Sequence, residues 1–139
     1  MFKRILLAFD GSAHARKAAA IARELANSMQ ADIWVVIAYD TLPSFLGKPN
    51  LQAAIDSRLE QAEAKMEEAV QEIGEFSGKI TTEIMEGPAS EAILNVAEVR
   101  NIELIVMGTR GMGSLKGLLI GSTSQKVLSH AQCPVLLAK

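Results

Sequence analysis

Five short apolar stretches alternate with helical patterns along this chain, and that alternation restricts its fold more than any other feature. The run Ile5-Leu6-Leu7-Ala8-Phe9 suits a strand buried on both faces. Asp10-Gly11-Ser12 ends it and supplies N-cap chemistry. A helix follows over residues 13–29, with Ala18, Ile21, Ala22, Leu25 and Met29 at helical spacing and Arg16, Lys17, Arg23 and Glu24 between them. Residues 33–39, rich in β-branched side chains, form a second buried strand, and residues 40–50, with Pro43, Gly47, Pro49 and Asn50, read as a loop. A long helix spans residues 51–76. Ile55, Leu59, Ala62, Met66, Ala69, Val70 and Ile73 make its apolar stripe, and seven acids between Asp56 and Glu75 make a solvated opposite face. Gly74 and Gly78 close it. Residues 79–86 form a third strand nearer the sheet edge, Gly87-Pro88 opens a helix through Ala92, Ile93, Val96 and Ala97, and residues 103–107 form a fourth strand. After a glycine-rich stretch, Ser122 and Thr123 cap a helix ending near His130, and residues 133–137 form a fifth strand with Pro134 at its start. Such an order calls for an α/β fold: a parallel sheet with helices on both faces and right-handed crossovers. With 139 residues, no repeat and no linker, residues 1–139 make one domain.

Composition narrows the function classes. A chain 49% hydrophobic and 22% charged is not intrinsically disordered. The net charge of −2 and scarcity of aromatics argue against nucleic acid as a partner. The single cysteine, Cys133, forms no internal disulfide, fits a small apolar role, and points to a reduced, cytoplasmic compartment. The apolar run behind Lys3 and Arg4 is short for a signal peptide, and residues 33–39 are far short of a bilayer span, so no membrane insertion is expected.

Half of the ten glycines fall in one stretch: Gly108, Gly111, Gly113, Gly117 and Gly121. It follows a buried strand and ends at a helix start. Glycines admit positive φ and close approach of a ligand, successive backbone N–H groups form anion nests, and a helix N-terminus adds free donors and partial positive charge. At Gly121 a Cβ would both block positive φ and crowd a phosphate. Residues 104–139 carry no acid but hold Arg110, Lys116, Lys126 and Lys139, making this end +4 and the remainder −6. No Gly-Lys-Ser/Thr triplet is present, so this is not a Walker A loop, and the spacing is not that of the Rossmann fingerprint. The plainer alternative is a surface connection, long for its kind.

Gly108-Thr109-Arg110-Gly111, nine residues, then Gly121-Ser122 resembles the Gly-x2-Gly-x9-Gly-Ser/Thr signature of the ATP-binding branch of the universal stress protein family. Residues 5–12, with Asp10 at the strand end, and the closing Cys133-Pro134-Val135-Leu136-Leu137 run are similar to that family too. The resemblance implies an open five-stranded, Rossmann-like sheet of order 3-2-1-4-5. Its ligand crevice would lie at the carboxyl ends of the first and fourth strands. By the same analogy Gly108, Gly111, Gly121, Ser122 and Thr123 would hold ribose and triphosphate, with Thr109 and Arg110 in the same nucleotide-binding set. Ala38 would offer backbone hydrogen bonds to adenine, and Ala8 and Met107 would line the base or ribose. Asp10 would hold Mg²⁺ or Mn²⁺ together with the phosphates. For Asp10 an N-cap on the first helix is the alternative, and for Arg110 and Lys116 plain surface charge.

The resemblance implies a regulatory protein that binds ATP, ADP or AMP, and a homodimer through residues 134–138. One alternative is a slow ATPase or phosphotransferase, for which only Asp10 or His14 would serve as a base; His14 is favoured as a surface residue. Another is an interaction protein independent of nucleotide. His130 suits a helix C-terminus, and Trp34 and the methionines suit the core.

Overall fold

The computed structural model describes residues 1–42, 47, 49–110 and 120–139. The expectations for Gly111, Gly113, Lys116, Gly117 and the middle of the 40–50 loop lie outside them. The elements alternate as expected: β1 (Arg4–Ala8), α1 (Ala13–Met29), β2 (Asp32–Tyr39), α2 (Asn50–Ile73), β3 (Ile80–Glu86), α3 (Ala89–Val99), β4 (Leu104–Gly108), α4 (Ser122–His130) and β5 (Val135–Ala138). The five strands form one parallel sheet in the order β3-β2-β1-β4-β5.

Period-two alternation in the central strands builds two cores. Ile5 and Leu7, Ile33, Val35 and Ile37, and Leu104 and Val106 face α1 and α2. Leu6 and Ala8, Val36, and Ile105 and Met107 face α3 and α4, with Trp34 packed at the margin. Residues 5–7 of β1 are wholly inaccessible, so both faces of this strand are covered, which explains its unbroken apolar sequence. α1 lays alanines on the sheet: Ala15, Ala18, Ala19, Ala22 and Ala26 are buried. The larger Ile21, Leu25 and Met29 of the expected stripe pack at its flank. Small side chains there allow helix and sheet to approach closely.

α2 ends at Ile73 rather than Phe76. Gly74, at φ +67°, is its C-cap and donates its N–H to the Val70 carbonyl, a conformation glycine adopts without steric cost. Gly78 lies beyond the helix. Part of the acidic face of α2 is engaged: Arg16 of α1 pairs with Glu68 at 2.8 Å and approaches Glu72 at 3.9 Å.

The carboxyl edge of the sheet is stepped. Pairing of β1 with β2 ends at Ala8↔Val36, whereas β2 and β3 stay paired through Tyr39↔Glu86 and β4 and β5 through Gly108↔Ala138. β1 therefore stops short between taller neighbours. The chain leaving β1 goes to α1 on one face, and the chain leaving β4 goes to α4 on the other. That is the switch point of a doubly wound sheet.

Candidate functional site

Two connections meet at this step. The β1–α1 turn is local chemistry. The Asp10 carboxylate accepts the Ser12 N–H at 2.9 Å, Gly11 takes φ +84°, and the Ser12 hydroxyl accepts the Ala15 N–H at 3.1 Å. Ser12 is thus the N-cap of α1. The N-cap alternative for Asp10 is corrected: its carboxylate shapes the turn one step earlier. The turn needs a residue at positive φ between acceptor and cap, and glycine supplies it.

The β4 connection is held from four directions. The Thr109 N–H donates to the Ala138 carbonyl at 2.7 Å, extending β4 along β5. The Thr109 carbonyl accepts the Gly121 N–H at 2.6 Å. Residues 109 and 121, at the two ends of the glycine-rich segment, are thereby tied together. The buried Ser124 hydroxyl donates to the Gly108 carbonyl at 2.7 Å, fastening α4 to the end of β4. Thr109 Oγ1 lies 2.9 Å from His14 Nδ1, joining the loop base to the first turn of α1 across 95 positions of sequence.

Two expectations change here. His14 is half-buried against Thr109 rather than a surface residue. Arg110 Nη2 lies 3.5 Å from His14 Nε2. The imidazole thus stands between the two residues at the base of the segment, its Nδ1 edge on Thr109. Local helical patterning hides this role, because it arises only once β1 and β4 are neighbours. The 3-2-1-4-5 order was the one signal that could have exposed it.

The second change concerns the start of α4. Its N-cap is Gly121, not Ser122 or Thr123, and no side chain caps it. Gly121 has φ −76° and ψ 167°, an extended conformation open to any residue, so positive φ does not account for this glycine. The N-cap residue thus brings no side-chain acceptor to the N–H groups of the first turn, and Ser122 at its start is exposed.

Gly108 is required by packing. A Cβ built there would lie 2.7 Å from His14 Cβ and 3.0 Å from the His14 backbone carbon. The glycine thus admits α1 to the strand end. Ala8 and Met107 are buried, with side chains in the core beneath α3 and α4, and Ala38 is half-buried where β2 rises past β1. Asp10 stands on the turn above β1. Among the described residues no cluster of three or more His, Cys, Asp or Glu could hold a metal ion. Burial pushes the Cys133 thiol above its ordinary range, in keeping with an unreactive apolar role. No helix among the described residues is long and apolar enough to cross a membrane.

A doubly wound parallel sheet whose switch point falls between β1 and β4 defines the class: a Rossmann-like α/β domain. The universal stress protein family model matches residues 1–139, and the chain belongs to that family. It is 45% identical over the full length of both chains to the universal stress protein in the QAH/OAS sulfhydrylase 3' region of Thermus aquaticus. Its fold is similar to that of universal stress protein UspA from Lactobacillus plantarum, with a TM-score of 0.84 at 28% identity, covering 99% of this chain and 98% of that one. Two more distant members of the family are known with a nucleotide. One is the Archaeoglobus fulgidus protein in complex with dAMP (TM-score 0.74, 20% identity, 100% and 98% covered). The other is an Arabidopsis thaliana protein with AMP bound (TM-score 0.72, 17% identity, 99% and 91% covered).

Proposed function

We propose that this chain is a cytoplasmic regulatory stress-response protein that holds an adenine nucleotide, ATP above all, in the crevice between β1 and β4. The observation that carries the proposal is the closure of Gly121 onto Thr109. It sets the N-terminus of α4 at the carboxyl end of β4, where amide donors and helix dipole favour phosphate. AMP and dAMP in the two distant relatives support an adenine nucleotide as the ligand class. Gly108, Gly111, Gly121, Ser122 and Thr123 would surround ribose and phosphates, with Arg110 adding charge. Ala8, Ala38 and Met107 would border the base.

Asp10 belongs to no cluster of three or more His, Cys, Asp or Glu among the described residues, so Mg²⁺ or Mn²⁺ beside it would complete its shell with phosphate oxygens and water. Such an ion would neutralise the polyphosphate beside Asp10. His14 is held against Thr109 at the base of the segment, a positioning role that favours binding over hydrolysis. Signalling would run through a homodimer joined at β5, an edge strand of the described sheet with the apolar sequence Val135-Leu136-Leu137-Ala138.

Calorimetric titration of the protein with ATP and Mg²⁺ tests the reading. We expect saturable binding at or below millimolar nucleotide, weaker with GTP. Absence of heat at millimolar ATP would refute it.

A further inference from the structure

The opposite edge of the sheet carries features that nucleotide binding does not use. Among the described residues β3 pairs with β2 alone. Ile33 N–H donates to the Lys79 carbonyl, and Ile33 is in register with Ile80. In a parallel ladder this turns the main-chain groups of Thr81, Glu83 and Met85 toward β2 and those of Ile80, Thr82 and Ile84 outward. Thr82 and Ile84 also line an open groove of ≈ 580 Å³ between β3 and α2. Met66, Val70 and Ile84 provide its apolar lining, and Val70 is 39% exposed.

Glu63 and Glu67 stand on the same groove, one helical turn apart. Like charges at this spacing repel. Their neighbours Glu68 and Glu72 approach Arg16, but neither Glu63 nor Glu67 has an ion pair among the described residues. The groove therefore offers a row of outward amides and carbonyls, an apolar lining and an uncompensated pair of carboxylates.

We propose that the outer edge of β3 and this groove form a docking site for an extended segment of a partner protein that carries apolar and Lys or Arg side chains together on one face, at every second position, and adds as a sixth strand. Main-chain pairing to Ile80, Thr82 and Ile84 supplies affinity, and alternate side chains enter the groove. Cationic side chains meet Glu63 and Glu67, which makes the site selective for basic sequences. A helical segment would leave the strand edge unpaired. A second copy docking the same edge would bring four carboxylates together, which disfavours self-pairing.

The probe is a fluorophore-labelled heptapeptide with valine and lysine taking turns at its odd positions and threonine at its even ones, with the same peptide carrying glutamate for lysine, and the lysine peptide N-methylated at alternate residues, as comparisons. Fluorescence anisotropy should show saturable binding of the first alone, weakened by salt. Glu63→Gln with Glu67→Gln, at exposed positions where removal of repulsion spares the fold, should raise Kd roughly fivefold to tenfold. Val70→Lys should weaken binding independently. Hydrogen exchange at the Thr82 and Ile84 amides should slow on binding, while ATP affinity stays unchanged. Equal binding of the glutamate or N-methylated peptide, indifference to the glutamine pair, or no binding at millimolar peptide would overturn the proposal. Self-association of the peptide-free protein that the glutamine pair alters would do so as well.

Discussion

Thr109 joins more of the candidate site than any other residue. Its N–H reaches β5, its carbonyl receives Gly121, and its hydroxyl meets His14. Replacing Thr109 with Val removes the hydroxyl with little change in shape and leaves His14 Nδ1 without that partner. We expect a loss of about 1–3 kcal/mol in urea unfolding. A cycle with His14→Ala should show the two losses to be non-additive by at least about 0.5 kcal/mol; full additivity would mean the contact contributes nothing. Gly108→Ala tests packing at the adjacent residue. The new Cβ meets the first turn of α1 rather than a flexible side-chain end, so overpacking should cost about 1–3 kcal/mol, against no change if α1 yields freely. The Asp10-Gly11-Ser12 turn was legible in the sequence because its hydrogen bonds are local. The His14–Thr109 contact was not, since nothing within a few residues of either encodes a partner 95 positions away.

At the scale of elements, every strand and helix was legible, with ends shifted by at most three residues and those of α1 not at all. Apolar runs and helical spacing are set by burial on two faces or one, and that information lies within each segment. The ends depend on single hydrogen bonds, as Gly74 shows in stopping α2 three residues early. The start of α4 was misread for a related reason. Ser122 and Thr123 are good capping residues, yet Gly121 takes the cap because its N–H is drawn to Thr109. Gly121→Asp would install a favoured capping side chain there. We expect the fold to persist by circular dichroism and ATP affinity to fall at least about tenfold, because a carboxylate then occupies the end of the helix dipole. Unchanged affinity would remove phosphate from that helix end. The short apolar β5 invites a partner strand, so light scattering at micromolar concentration should give a dimer and Leu136→Lys a monomer; a wild-type monomer would contradict the proposed assembly.

Across the whole molecule, alternation of elements required a parallel sheet covered on both faces but left the permutation of strands open. The order 3-2-1-4-5 came from the family resemblance, since apolar runs of similar length and composition do not say which run lies beside which. The crevice depends on that order: only with β1 beside β4 do Asp10, His14 and the glycine-rich segment share one end of the sheet. The uneven charge, +4 over residues 104–139 and −6 over the rest, was legible by counting. It matches the two proposed surfaces: an anion site at the end of β4, and the acidic groove beside β3. The central claim is that the amides opening α4, with the loop base at Thr109, receive the phosphates of an adenine nucleotide. Amide-resolved NMR titration with ATP and Mg²⁺ tests it most directly. Shifts should concentrate at residues 10–12, 38, 108–110 and 121–123 and saturate together. Shifts scattered over the surface, or confined to the β3 edge, would contradict it.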